Sequence, residues 1–511
     1  MATTNSTNAC ATPNHGANGG SNQSGRDHII LFPFMAKGHT LPLLHFATAL
    51  SVHQKNLLIT VVVTPANLAF ARIRLPASVN LAVLPFPSLP PLPSGVESTD
   101  TLPAPALYPT FLNATALLRE PFAEFMASLP SPPLVLISDF FLGFTHGVAA
   151  DAGVRRIVFH GMSCFSLAMC KSLIASPPPS VEHGTSFRVA RMPEHVRITA
   201  AEVPDTIAKI FDPEDPVSRF IIDHVGESDE RSWGVLVNSF AALDDEEYVA
   251  ALLSFYQPDA RAWLVGPMFL AAGDMPEREE EHDPEGCLPW LDERAERSET
   301  AIYVSFGTQA YVSDEQLDEL ARGLVQSGHH FLWAVRSAAW SPPVEVGPRG
   351  RIVRGWVPQR SVLAHRAVGG FVSHCGWNSV MESLTAGKPL LAWPFMAEQH
   401  LNAHHVADII GAGVRIVDVK VAGDAVVERA EVEEKVRRLM DACEEGRKIR
   451  ERATWAQQAA KAAVSDGGTS RVALMKLVEE LQRSYCDVIV GKQDHGANRI
   501  ILTQAHSSTK A

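Results

Sequence analysis

Cationic excess is missing from this chain of 511 residues: 44 Lys and Arg stand against 57 Asp and Glu, a formal net charge of −13. Nucleic-acid affinity rests on Lys and Arg neutralising phosphates, and no basic run offsets the deficit, so a polynucleotide partner is not expected. Paired cysteines are missing too. The seven are Cys10, Cys164, Cys170, Cys287, Cys375, Cys443 and Cys486, odd in number, scattered and never spaced C-x-x-C. That argues against a disulfide framework or a structural zinc site and fits a reducing cytoplasmic compartment. No apolar run reaches the roughly 18 residues of a membrane span. The N-terminus has neither the basic start nor the apolar core of a signal peptide, so the triplets Asn5-Ser6-Thr7 and Asn113-Ala114-Thr115 are chance matches to a glycosylation acceptor. Two chemical signatures are also lacking. The first apolar run is followed by Met35-Ala36-Lys37-Gly38-His39 and not by G-x-G-x-x-G, which argues against a nicotinamide dehydrogenase, and no G-x-S-x-G marks an α/β-hydrolase.

What is present is a repeated alternation. Short apolar runs rich in β-branched residues occur at 29–34, 57–63, 81–86, 134–138, 157–159 and 235–237, with helical or irregular segments between them. They are apolar almost throughout, the mark of parallel strands covered on both faces. A helix is expected after the first run, with Thr40 as N-cap and Pro42 in its first turn. An acidic, proline-containing stretch at 271–286, AAGDMPEREEEHDPEG, reads as a linker, after which strands at 301–306, 331–335, 370–373 and 390–393 alternate with helices. Ser313-x-x-Gln316 is a capping box opening one of these helices. The length and this restart predict two doubly wound α/β domains.

Ligands in open parallel sheets sit beyond the carboxyl ends of the strands. His39 follows the first strand and Asp139 ends another, so they form a general-base dyad if those strands are neighbours; a loop histidine and a helix-capping aspartate are the plainer alternative. His28, His45 and His53 have no such placement. In the second half, a strand runs into Ser373-His374-Cys375-Gly376-Trp377-Asn378-Ser379 and a helix. This is an anion site built from free N–H groups and the positive helix end, with His374, Asn378 and Ser379 as further donors. Ser379-x-x-Glu382 also matches a capping box. Ser305-Phe306-Gly307-Thr308 is a second loop that could approach a phosphate. The Trp356 ring could stack on a nucleobase or sit in the core. The acidic pair Asp244-Asp245 reads as solvated surface.

Residues 356–399, WVPQRSVLAHRAVGGFVSHCGWNSVMESLTAGKPLLAWPFMAEQ, resemble the plant secondary product glycosyltransferase box of family 1 UDP-glycosyltransferases. Trp356, Gln359, His374, Gly376, Trp377, Asn378, Ser379, Glu382, Pro394, Glu398 and Gln399 carry the match. The resemblance runs from about Asp27 to Gln482 through FPFMAKGHTLPLL, LISDFFLGF, CLPWLDERAERSETAIYVSFGT and SDGGTSRVALMKLVEELQ.

It implies a GT-B fold, two Rossmann-like domains facing across a cleft. The expected division is a disordered tail at 1–25, an acceptor-binding domain at 26–268 and a linker at 269–298. A UDP-sugar-binding domain at 299–465, a helix at 466–483 packing back on the first domain and a tail at 484–511 follow. The implied activity is inverting transfer of glucose from UDP-glucose to a hydroxyl of a small hydrophobic plant metabolite such as a phenolic, flavonoid, terpenoid or hormone. Another UDP-sugar, or a non-catalytic binding relative, is the alternative. His39 would be the base and Asp139 its partner. Trp356 would stack on uracil, Val357 would offer backbone groups, Gln359 would belong to the same donor site, and Glu382 would bind the ribose. Thr308, His374, Asn378 and Ser379 would hold the diphosphate, and Trp377, Glu398 and Gln399 the sugar. Gly161 stands near where some relatives place a hydroxyl residue contacting the sugar, and Ser163 is the nearest substitute. Loops 87–105 and 161–179 are expected to line the acceptor pocket. The resemblance implies no cofactor beyond the co-substrate UDP-glucose, no metal and a monomeric protein.

Overall fold

The computed structural model describes residues 27–178, 182, 184–273, 283–307, 310, 312–337, 339–416 and 426–483. The proposed tails at 1–25 and 484–511 and the middle of the acidic stretch lie outside the described residues.

Seven strands form the first sheet: β1 (His28–Phe32), β2 (Leu58–Val63), β3 (Val79–Val83), β4 (Val135–Asp139), β5 (Arg156–His160), β6 (Gly234–Val237) and β7 (Arg261–Leu264). Their spatial order is β3-β2-β1-β4-β5-β6-β7, all parallel. Six more form the second: β8 (Ala301–Ser305), β9 (His330–Ala334), β10 (Gly350–Val353), β11 (Val368–Ser373), β12 (Leu390–Ala392) and β13 (Gly413–Arg415). Their order is β10-β9-β8-β11-β12-β13, again parallel. Each sheet thus reverses its winding between its first and fourth strands, the switch point where a crevice opens beyond the carboxyl ends. The helices that matter are α1 (Lys37–His53), α2 (Cys164–Ala175), α3 (Cys287–Glu296), α4 (Asp314–Ser327), α5 (Trp377–Thr385) and α6 (Gln399–His404). An antiparallel pair, Ser186–Arg188 with Arg197–Thr199, is an addition to the first domain.

Both faces of each sheet are covered, and strand alternation sorts the residues between them. Ile29 and Leu31 of β1 join one cluster with Leu43 and Leu50 of α1, while Ile30 and Phe32 join another with Phe111 and Phe122. In the second sheet Tyr303 and Phe371 face one side, Ile302 and Val372 the other. The described residues 469–483 form a helix whose Leu474, Leu477, Val478 and Leu481 lie in the β1 and α1 cluster of the first domain.

Four local expectations need correction. α1 begins at Lys37, not after Thr40, so His39 sits in its first turn; the Thr40 hydroxyl donates to the Phe34 carbonyl at 2.8 Å and does not cap the helix. The stretch 287–296 is not linker: it is α3, with Cys287 and Leu291 fully buried in the second domain's core. At α4, Ser313 does cap the Gln316 N–H, but the Gln316 side chain reaches away to both backbone groups of Val427, so only half the box forms. Asp244 is fully buried and accepts the N–H groups of Cys164 and Phe165 at the start of α2; Asp245 caps the helix that follows it.

Candidate active site

β1 and β4 are neighbours in register, with Phe32 beside Ser138, and this brings their ends together. His39 Nδ1 and Asp139 Oδ2 are 2.8 Å apart. The aspartate is fully buried and its other oxygen accepts the Phe141 N–H at 3.0 Å, so the carboxylate cannot swing away. The carboxylate fixes the proton on Nδ1 and leaves Nε2 as the basic nitrogen. Phe34, Phe140 and Phe141 surround the imidazole at centroid distances of 5.4, 5.9 and 5.6 Å, and 27% of the histidine side chain remains exposed. Burial alone would lower the His39 pKa. The charge and hydrogen bond of Asp139, with the charges of Glu398 and Asp100, outweigh it and raise the pKa above its ordinary value. Beneath the dyad lies a residue that sequence reasoning missed. The buried Arg156 donates to the Asp139 carbonyl, the Ser138 and Ser232 hydroxyls and the Ser228 carbonyl. Burial lowers its pKa to about 10, against nearby Asp229, Tyr256 and Asp139, so it is still a cation. It opens β5 just before the apolar run 157–159 and beside Arg155, where a charged strand end gave no signal.

Across the cleft, β8 and β11 end side by side, Ser305 opposite Ser373. The chain leaves β11 through His374, Cys375 and Gly376 and enters α5. Cys375 has φ 63°, a left-handed conformation rare for a residue with a side chain. The His374 ring lies between two glycines: a Cβ on Gly307 would stand 2.7 Å from it, and one on Gly376 2.6 Å. Burial lowers the His374 pKa to about 4, so the ring is neutral and offers a hydrogen bond but no charge.

α5 has Gly376 as N-cap and no side-chain cap. The capping box expected for Ser379 and Glu382 is therefore absent, because the helix starts two residues before Ser379. Both side chains instead meet Gln359, whose Nε2 donates to Ser379 Oγ at 3.0 Å and to Glu382 Oε2 at 2.7 Å, while the Tyr303 hydroxyl donates to its Oε1. Trp356, 47% exposed, is not a core residue, whereas Val357 is packed into the core. Trp377 is 2% exposed, and its Nε1 donates to the Asn238 carbonyl of the first domain at 2.8 Å, so its ring is committed to the contact between the domains. Thr308 lies outside the described residues.

Asn378 reaches across the cleft and donates to the Gly38 carbonyl at 2.8 Å. Glu398 acts on His39 electrostatically, and burial, partly offset by Asn402 and His39, raises its pKa. Gln399 opens α6, and its Oε1 accepts the N–H groups of Phe395 and Met396 at 3.0 and 3.1 Å. The acceptor half of its amide is thus committed to the protein. Ser163 is buried and caps α2 by accepting the Ser166 N–H, so it does not supply a hydroxyl to the cleft. Among the described residues the metal-compatible group is Glu202, His404 and Asp408. Arg415 fills it, bonding Glu202 at 2.7 Å and Asp408 at 2.9 Å, so it is an ion-pair clasp between the domains. No helix among the described residues is long and apolar enough to cross a membrane.

Comparison with known proteins adds four findings. The family described as UDP-glucoronosyl and UDP-glucosyl transferase matches residues 278–441. UDP-glycosyltransferase 90A2 of Arabidopsis thaliana is 36% identical over 468 residues, covering 89% of this chain and 97% of that one. Flavonol 3-O-glucosyltransferase UGT89B1 of the same plant is 36% identical over 416 residues, 77% and 85% of the two chains. Among solved structures, Phytolacca americana UGT2 complexed with UDP-2fluoro-glucose and pterostilbene superposes with a TM-score of 0.72 at 27% identity, covering 89% of this chain and 100% of that one.

Proposed function

This chain belongs to the plant family 1 UDP-glycosyltransferases, and from that premise we propose how its residues carry glucose from UDP-glucose to a small plant metabolite. The observation that carries the proposal is the 2.8 Å contact between His39 and Asp139, set opposite the uncapped start of α5. His39 Nε2 takes the proton of the acceptor hydroxyl as its oxygen attacks the anomeric carbon. The bond from that carbon to the UDP oxygen breaks on the opposite face, and the sugar inverts. Asp139 stabilises the imidazolium formed. The departing diphosphate takes up negative charge at the free N–H groups of α5, with His374 and Asn378 as neutral donors. Trp356 stacks on uracil, and Gln359 holds Glu382 and Ser379 toward the ribose and phosphate. Glu398 and Gln399 receive the sugar.

The acceptor binds beside Phe140, Phe141 and Tyr108, an aromatic wall suited to a flat hydrophobic molecule. Tyr108 is close enough to Asp139 that burial and that charge both raise its pKa. We further place the protein in the cytoplasm as a monomer working without a metal; the free thiols Cys164, Cys170, Cys287, Cys375 and Cys443 support the reducing compartment. The test is incubation with UDP-glucose and a panel of phenolics, flavonoids, terpenoids and hormones, followed by mass spectrometry and proton NMR of the anomeric centre. A β-glucoside is the expected product. An α-glucoside, or binding with no turnover on any acceptor, overturns the mechanism.

A further inference from the structure

Asn402 matched no motif, yet it is fully buried and sits at the meeting point of both domains and both halves of the donor site. Its Nδ2 donates to the Cys375 carbonyl at 2.9 Å and to Glu398 Oε1 at 3.2 Å. Its Oδ1 accepts from the hydroxyl of Ser166, on α2 of the other domain, at 2.7 Å. The amide orientation is fixed by chemistry, since a carbonyl and a carboxylate both require a donor.

Two further observations give this junction a purpose. Cys375 holds a left-handed backbone, and such a conformation persists only where its surroundings over-determine it. The Cys375 N–H is held by the Ser373 hydroxyl at 3.1 Å and its carbonyl by Asn402. Secondly, α6 is seated in the acceptor domain: Leu401, next to Asn402, is fully buried in the cluster formed by Phe165, Leu167 and Met169 of α2. A shift of the acceptor domain relative to α6 therefore moves Asn402 against the turn and Glu398.

We propose that Asn402 is a positioning residue for glucosyl transfer, coupling the seat of the acceptor domain, through Ser166, to the Cys375 turn and to Glu398. UDP is held by bonds within the donor domain, but the bound sugar is aligned for transfer only when the domains are in register. The inference rests on the glucosyl-transfer reading above.

Two variants test it. Asn402→Asp keeps the shape and the bond from Ser166 but sets a carboxylate against the Cys375 carbonyl and Glu398. UDP affinity by calorimetry and the KM for UDP-glucose should both weaken by ~10-fold or more, the scale of one lost hydrogen bond to a charged group. Ser166→Ala leaves every bond within the donor domain intact. Its UDP affinity should stay within about twofold of wild type while kcat falls ~10-fold, the scale of one buried hydrogen bond. Wild-type kcat in Ser166→Ala overturns the coupling, as does unchanged UDP affinity in Asn402→Asp. If Asn402→Asp fails to fold, Ser166→Ala decides alone. A wild type that binds UDP but transfers to no acceptor condemns the reading of function instead, and in that case the UDP affinity of Asn402→Asp still tests the turn.

Discussion

The Asn378 amide donates to the Gly38 carbonyl at 2.8 Å, and the peptide it grips is the one leading into His39. The start of α5 and the first turn of α1, which carries the proposed base, are thus one hydrogen bond apart. If Asn378 also serves the diphosphate, Asn378→Ala should raise the KM for UDP-glucose by roughly tenfold, as expected for a hydrogen bond to a charged group. Calorimetry with UDP alone checks the assignment; an unchanged affinity would remove Asn378 from the donor site.

His39→Ala should lower turnover by roughly 10²–10⁴ on an aliphatic alcohol, the range for a lost general base, with UDP-glucose binding nearly intact. A weakly acidic phenol needs less help and should suffer less. The base must be neutral to work, and its pKa is raised above 6.5 in the folded protein. So kcat/KM for the acceptor should climb with pH and level only above 6.5. Asp139→Asn removes the largest raising influence, and should lower the plateau while moving the rising limb toward acid. A limb that stays where it was would show that another group titrates.

Because Gln399 Oε1 is already bonded to two backbone N–H groups, the sugar recognition proposed for it would come from the N–H₂ side. Gln399→Glu preserves that acceptor and deletes the donor. It should cut the preference for UDP-glucose over UDP-galactose by about ten- to hundredfold, equivalent to 1–3 kcal/mol for an unpaired polar group. Measuring kcat/KM with both donors decides it; an unchanged ratio rejects direct recognition by Gln399.

The clasp of Glu202, His404, Asp408 and Arg415 makes stability pH-dependent. Burial works against His404 charge, but hydrogen bonds and the charges of Glu202 and Asp408 raise its pKa to about 9. This contribution is whole below the ordinary histidine value of 6.5 and is lost as pH rises through 9. Burial likewise opposes the Glu202 charge, yet His404, Arg415 and Thr199 lower its pKa to about 2, so its contribution is whole above 4.5 and is lost as pH falls through 2. Asp408 still pairs with both His404 and Arg415 when Glu202 is made neutral, so Glu202→Gln should cost about 1–3 kcal/mol, the scale of a lost hydrogen bond to a charged group, and should flatten the alkaline loss seen in thermal melts between pH 6.5 and 9. A parallel pH profile in the variant would refute the assignment.

The proposed donor site neutralises the diphosphate with helix-end amides and neutral side chains. Dialysis against EDTA should therefore leave activity within experimental error. Loss restored by Mn²⁺ or Mg²⁺ would overturn this part of the mechanism.

The dyad was legible because each partner follows an apolar run of clear strand character, and parallel winding puts strand ends at one edge. What the sequence concealed has two physical sources. β7, β10 and β13, with the runs RAWL, GRIV and GVR, are only three or four residues long and interrupted by arginine or glycine, so periodicity never accumulates. Arg156 bonds the Asp139 carbonyl 17 residues back, Glu202 pairs with Arg415 213 residues on, and Asn402 with Ser166 236 residues back, separations over which local pattern carries no information. The helix starts were misjudged because local capping preferences pointed to Thr40 and Ser379, whereas the N-cap positions lie earlier, at Ala36 and Gly376, and neither makes a side-chain cap.

The helix at 469–483 closes the first domain's core with Leu474, Leu477, Val478 and Leu481. During synthesis, domains generally fold in order of emergence from the ribosome. Here the earlier domain needs a piece made after the whole of the later one, so its β1 and α1 surface stays uncovered until translation has passed Leu481. The donor domain can mature first, although it is encoded second. The same helix gives the two domains a second covalent crossing, so a break in the stretch between them would leave the halves joined.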